Sequence, residues 1–212
     1  MIPLLHEFAG ATVLVFGGGP VGARKARRFA REARVIVVSP AFADAEFGDA
    51  ELVRAAPAPG DAATWVDRAA PALVVAATDD PALNDAAAAA ARDRGALYNR
   101  ADRSDADGAG RVVVPATVRE DPVVVAVATG GTSPALSRYL RERLSDELAG
   151  AGEMATLLGD LRDDLSAWPA ERRHEALRRV VRDERVWKAL GDGGANARQL
   201  ATDIASAAGD SE

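Results

Sequence analysis

The chain has no cysteine. That excludes disulfides, thiolate metal centres and cysteine nucleophiles, and it fits a reducing, cytoplasmic setting. Histidine is nearly as scarce: His6 and His174 are the only two, neither lies in a ligand-like cluster, and no fixed metal site is expected. Lysine is confined to Lys25 and Lys188, so arginine supplies the rest of the positive charge. With 26 Lys and Arg against 32 Asp and Glu the net charge is −6. Such a chain lacks the positive field on which nucleic-acid binding draws. No apolar run approaches the roughly 20 residues needed to cross a bilayer. The opening MIPLLHEFAG has neither the basic lead nor the apolar core of a signal peptide. Neither a nucleic-acid nor a membrane partner is expected. What is present is 212 residues, 48% of them hydrophobic, enough for a domain of ordinary size with an appendage. No internal repeat is visible.

The first half alternates strand and helix. Thr12 to Phe16, Val35 to Val38, Leu52 to Ala55, Leu73 to Ala76 and Leu97 to Asn99 read as strands. Helices are expected from Val21 to about Arg31, over 61–69, and over the stretch after Asp80. There Asp80 suits the cap, Pro81 the first turn and Gly95 the end. Crossovers of this length imply a parallel sheet wrapped by helices. After residue 111 the pattern changes. RVVVPATV and PVVVAVAT, joined by RED, read as a strand pair. Ser133 and Pro134 then open a helix whose Leu136, Tyr139, Leu140, Leu144 and Leu148 share one stripe. The remaining 60 or so residues read as helices with a small core, expected to pack on a partner subunit. The fold class is therefore α/β: a Rossmann-like parallel sheet over residues 1–111, a β-hairpin and helix segment over 112–150, and a helical C-terminal region over 151–212.

In VLVFGGGPVGARKA, Gly17, Gly19 and Gly22 fit G-x-G-x-x-G between a strand and a helix. The first allows a tight turn, the second lets backbone approach a pyrophosphate, and the third lets helix and strand pack closely. Amides near Pro20 and Val21 would face the phosphates with the positive end of the helix dipole. The acidic residue usual at the end of the second strand is missing, and Ser39 stands near its place. That spacing is compatible with NAD and with NADP. The arginines that follow (Arg24, Arg27, Arg28, Arg31) read as a solvated helix face.

Three further segments belong at the carboxyl edge of the sheet or at a helix start: AATDDPALN at 76–84, LYNRAD at 97–102, and VATGGTSPALSRYLRE at 127–142. Ligands bind at that edge in open α/β sheets, and TGGTSP makes an anion cradle. In this order the segments resemble the precorrin-2 dehydrogenase / sirohydrochlorin ferrochelatase family, the module found alone or at the N-terminus of siroheme synthase. The resemblance runs from about Pro3 to Leu148 and more loosely to the end. It implies oxidation of precorrin-2 to sirohydrochlorin with NAD as hydride acceptor, a homodimer in which the segment 112–150 serves dimerisation and the substrate cleft, and in some members insertion of ferrous iron. It also implies roles for residues. Asp102, at the end of a motif like N-x-x-D that begins at Asn99, is the family's key aspartate and the candidate general base. Pro20 and Val21, Pro40 and Ala41, and Thr78 and Asp79 correspond to nucleotide contacts. The implied substrate carries eight carboxylates, for which Thr129, Gly130, Gly131, Thr132 and Ser133 offer amides and hydroxyls, with Asn99 beside Asp102. Arg100, Arg103, Arg111 and Arg138 are further candidates for those carboxylates. Thr129 stands where the family usually has serine. Asp105 and Asp107 read as solvated loop residues.

Two other classes share parts of this pattern. A dinucleotide-sensing regulatory domain of a transporter shares the glycine turn, but such sensors usually carry the acid after the second strand and have no use for GGTSP. A short-chain dehydrogenase needs Tyr-x-x-x-Lys, and neither Tyr98 nor Tyr139 has a lysine four residues later.

Overall fold

Five short runs build one sheet in a computed structural model that describes residues 2–103 and 108–207; the first, second and fourth are buried almost throughout, while the third, at the sheet edge, is largely exposed. They form β1 (Thr12–Phe16), β2 (Arg34–Ser39), β3 (Glu51–Arg54), β4 (Leu73–Ala76) and β5 (Leu97–Arg100), in the order β3-β2-β1-β4-β5. All four pairings are parallel. Near-continuous apolar strands are what a parallel sheet covered on both sides requires. Side-chain alternation sends Leu14, Phe16, Val74 and Ala76 to one core and Val13, Val15, Val35, Val37 and Val75 to the other. Helices α2 (Ala62–Ala69) and α3 (Pro81–Asp93) bring Val66, Leu83 and Ala87 to the first core. Helix α1 (Pro20–Phe29) brings Ala23 and Ala26 to the second. Asp80 caps α3 through its carboxylate, which accepts from the Ala82 amide at 2.8 Å.

The chain leaves β1 toward β2 on one side and later returns to place β4 on the other. The loops after β1 and β4 therefore diverge at one point on the carboxyl edge, and such a switch point opens a crevice.

Helix α1 also carries one half-buried lysine. Burial, then the neighbouring Arg28 and Arg24, push the Lys25 ammonium down to about 8. The folded chain thus releases this proton more readily than the unfolded chain, whose lysine keeps the ordinary value of 10.5. Stability from this group rises as pH climbs from about 8 toward 10.5. Lys25→Met is expected to raise the urea midpoint clearly near neutral pH and much less in alkali. Equal gains at both pH values would contradict the burial of a charged group there.

The contacts divide the chain between Val114 and Pro115, so residues 112–114 go with the sheet and not with the segment that follows. RVVVPATV is accordingly not one strand. Backbone hydrogen bonds join Tyr98 to Gly110 and Val112, Tyr98 N–H to Gly110 O at 2.9 Å and Val112 N–H to Tyr98 O at 2.8 Å. Pro115 has no N–H to continue a ladder, and pairing resumes only at β6 (Ala116–Glu120), antiparallel to β7 (Val123–Val127). The turn between them is Asp121–Pro122, so Arg119 and Glu120 of the expected RED linker belong to β6.

In the second unit α4 (Pro134–Glu147) starts at Ser133, whose hydroxyl accepts from the Leu136 amide at 3.2 Å. Helices α5 (Ala151–Asp164), α6 (Ala170–Arg182), α7 (Glu184–Gly191) and α8 (Ala197–Ala207) close on a core of their own, built around Met154, Leu157, Leu161, Val180 and Val186. The helical tail thus has the small core of its own that was expected of it. In this unit the large apolar side chains left exposed, Leu136 and Tyr139, lie earlier, on α4, which has no buried residue. His6 and His174 are both exposed. Among the described residues no helix is long and apolar enough to cross a membrane.

Candidate active site

At the switch point a cleft of about 610 Å³ opens between the loops after β1, β2 and β4. Nine of the residues singled out from the sequence line it together: Gly17, Gly19, Pro20, Val21, Ser39, Pro40, Ala41, Thr78 and Asp79. Gly22 lies behind them. A Cβ there would stand 1.9 Å from the Gly17 carbonyl oxygen, so helix α1 meets the turn at a distance only glycine permits. Gly17 has φ of +111° and faces the Ala77 carbonyl, where a Cβ would meet oxygen at 2.4 Å. Gly19 is different, since a Cβ added to it meets nothing within 4 Å. Gly17 and Gly22 thus serve the turn itself, and Gly19 leaves open space in front of the backbone.

Helix α1 offers that space a positive end. Pro20 occupies its first position, and no acidic side chain lies in the first turn. Amides in a helix's first turn have no intrahelical partner, so an anion placed there completes them. The cradle fits the pyrophosphate of a dinucleotide. The sequence did not single out for the cleft Gly18, whose added Cβ would strike the Ala41 carbonyl at 2.3 Å, or Val38, Ala56, Pro57, Ala77, Asp80 and Leu83, which complete the lining. The run of three glycines was a usable signal for Gly18. Nothing local marks Ala56 or Pro57, which reach the cleft only because β3 pairs with β2.

From the cleft a chain of polar contacts leads along the sheet edge. Thr78 donates its backbone N–H to Asn84 Oδ1 at 3.1 Å and its hydroxyl to the same atom at 2.8 Å, while Asn84 Nδ2 donates to the Thr78 carbonyl at 3.0 Å. Asn84 is almost fully buried. Asp102, just past β5, accepts a fork from Arg100, Nε to Oδ1 at 3.0 Å and Nη2 to Oδ2 at 2.6 Å. Arg100 Nη1 pairs with Asp85 on α3. The Arg100 hydrogen bonds hold the Asp102 carboxyl below the usual carboxylate range. Partial burial opposes them, and the backbone amide of Asp102 and the Asn84 side chain add to them. Stability from this pair is fully present above the ordinary carboxylate range and is lost as pH falls through the lowered value.

Arg100 is therefore not available as a substrate ligand, contrary to its place among the arginine candidates. Its side chain is 3% exposed and engaged by two carboxylates. Arg138 is exposed and pairs with Glu142 at 2.9 Å. Asn99 donates Nδ2 to the Val112 carbonyl at 2.8 Å, and its Oδ1 is buried without a partner. Asp105 and Asp107 lie outside the described residues.

TGGTSP forms a tight structure of its own in the second unit. The Thr129 hydroxyl donates to the Ser133 carbonyl at 3.0 Å and lies 2.9 Å from the Ser137 hydroxyl. Gly130 and Gly131 take φ of +62° and +82°. Gly130, Gly131 and Thr132 are exposed.

The chain is similar to known proteins. Residues 4–116 match a family model described as "Putative NAD(P)-binding". A precorrin-2 dehydrogenase of Methanosarcina barkeri is 32% identical over 97% of this chain and 93% of its own. A siroheme synthase of Pseudomonas entomophila is 37% identical over 78% of this chain but 35% of its own, so the chain spans about a third of that longer protein. Among solved structures, SirC, a precorrin-2 dehydrogenase, superposes with a TM-score of 0.69 over 96% of this chain and 98% of that one, at 22% identity, and shares the fold. With a family model over half its length and a relative matched end to end, the chain belongs to the precorrin-2 dehydrogenase family.

Proposed function

We propose that this chain oxidises precorrin-2 to sirohydrochlorin with NAD, and that Asp102 is its catalytic residue. The observation that carries the proposal is the ionised Asp102 carboxylate at the sheet's carboxyl edge, linked through Asn84 and Thr78 to a glycine-lined dinucleotide cleft. NAD bound in that cleft supplies the carbon that accepts a hydride. The α1 amides hold its pyrophosphate, and Ser39, Pro40 and Ala41 flank the ribose on the β2 side. Removing a hydride from the substrate ring takes two electrons and one hydrogen, and a second hydrogen must leave as a proton. Once the hydride has gone the ring is cationic and that proton is acidic, so even a weakly basic carboxylate accepts it. Asp102 receives it at Oδ and returns it to solvent. The amides of Gly130 and Gly131 and the Thr132 hydroxyl bind substrate carboxylates. Where ferrous iron is then inserted as substrate, two pyrrole protons must leave, and the same carboxylate is the group to take them.

The test supplies precorrin-2 with NAD or NADP and follows reduced nucleotide, then adds ferrous ion to the product. NADH formation with a preference for NAD is expected. Tight nucleotide binding with no oxidation and no tetrapyrrole binding would instead favour a sensor.

The proposal includes a homodimer formed through the hairpin and α4. A two-stranded hairpin is marginal alone in water. Here only Val118 of β6 and β7 is buried, while Leu136 and Tyr139 on α4 are 47% and 55% exposed. Sedimentation of the wild-type chain at micromolar concentration is expected to give a dimer, and Leu136→Asp with Tyr139→Asp a folded monomer. A monomeric wild-type chain would remove this part.

A further inference from the structure

Arg100 is the one charged side chain among the buried residues described. Burying a guanidinium is costly unless every donor finds an acceptor in good geometry, and here the acceptors are two carboxylates on different elements. Asp85 comes from α3, fifteen residues earlier in sequence, and is largely exposed. Asp102 comes from the bend after β5 and presents both oxygens to Nε and Nη2. A side chain in a bend has free torsions, whereas a planar fork fixes both carboxylate oxygens in one plane, which a lysine ammonium does not do. Strand alternation puts residue 100 on the α3 side of the sheet, where Asn84 also lies. From β5 the group facing Asp102 is thus Arg100. From α3 they are the neutral Asn84 amide and, through Arg100, Asp85.

We infer that Arg100 is a positioning residue of the site: anchored by Asp85, its fork sets the orientation of the Asp102 carboxylate and holds a fixed cation beside it. The inference rests on the reading of Asp102 as proton acceptor. Asp102 gives up basicity in exchange for a fixed direction and a constant charge. The exchange suits a reaction in which hydride departure, not the base, makes the proton acidic.

Three variants of the full chain test it: Arg100→Met, Arg100→Lys and Asp85→Asn. Each is measured by the pH profile of NADH formation, by NAD affinity, and by carbon-13 NMR titration of the aspartate carboxyls with Asp102→Asn as assignment. In Arg100→Met the Asp102 carboxyl is expected to titrate at higher pH. Its kcat/KM should fall about tenfold more on the acid side than above neutrality, with NAD affinity unchanged. Arg100→Lys restores the acid limb but leaves kcat reduced. Asp85→Asn keeps the low titration of Asp102.

Equal loss at every pH with the Asp102 titration unmoved would make Arg100 merely structural and overturn the inference. Wild-type behaviour of Arg100→Lys in both kcat and pH profile would do the same to the role of the fork. Should Arg100→Met not fold, the lysine and Asp85 variants still decide. A displaced Asp102 titration in a protein whose wild type makes no NADH would overturn the dehydrogenase reading, and the positioning role with it, while leaving the ion pair established.

Discussion

Asp102→Ala is expected to lower kcat/KM for precorrin-2 oxidation by about 10²- to 10⁴-fold, the range a positioned proton-transfer group contributes, and to leave NAD affinity unchanged. The second half follows from geometry, because Asp102 is not among the residues that line the nucleotide cleft. The substitution also leaves the buried Arg100 with Asp85 as its remaining carboxylate, so some stability is lost as well. Asp102→Asn separates the two effects. It keeps the size of the side chain and an acceptor oxygen for Arg100, but it takes no proton. Steady-state kinetics, calorimetric NAD binding and urea unfolding on both variants give the comparison. If Asp102→Asn turned over at the wild-type rate, Asp102 would be a structural partner of Arg100 and the proton would go elsewhere.

The largest loss of both stability and cofactor binding is expected from Gly22→Ala. The added methyl would stand 1.9 Å from the Gly17 carbonyl oxygen, far inside contact distance, so helix α1 or the turn must move. The turn has no room to yield, since Gly17 is itself pressed against the Ala77 carbonyl. Overpacking of this kind costs roughly 1–3 kcal/mol, read as a lower urea midpoint, and NAD affinity should fall by at least about tenfold as the α1 amides shift. Gly19→Ala is the matched control. Its methyl meets no protein atom within 4 Å, so the fold should keep its midpoint. NAD should nevertheless bind less well, because the methyl projects into the space left for the pyrophosphate. Equal stability of the two variants would contradict the distinct roles assigned to these glycines.

The elements easiest to read were those whose residues state their own environment. Thr12–Phe16 and Leu73–Ala76 were legible to the residue, because a strand buried on both faces is a short run of bulky apolar residues, here bounded by Gly, Ala and Pro. Helix α3 announced itself through Asp80 and Pro81, and both act there as expected. The run at 111–118 was misleading. Its valines suit any strand, and only Pro115 hinted that the pairing would break. The cleft was legible at its glycine turn and far less so at Ala56 and Pro57, whose presence depends on which strand neighbours β2. Arg100 is the clearest case of a meaning that sequence withholds. In YNRAD it looks like one more cation for an anionic substrate. Its actual partner Asp85 belongs to another motif, and no local pattern records that the two meet. The stripe on α4 was plain in the sequence, and so was the small separate core of the helical tail.

The central claim concerns a reaction, and the most direct measurement is the stoichiometry of that reaction. The intact protein is mixed anaerobically with precorrin-2 and excess NAD, and NADH and sirohydrochlorin are quantified over the same time course. The account predicts one NADH per sirohydrochlorin, no product without NAD, and loss of both signals in Asp102→Asn. Sirohydrochlorin appearing at the uncatalysed rate, with NADH at background while NAD is bound, would contradict it.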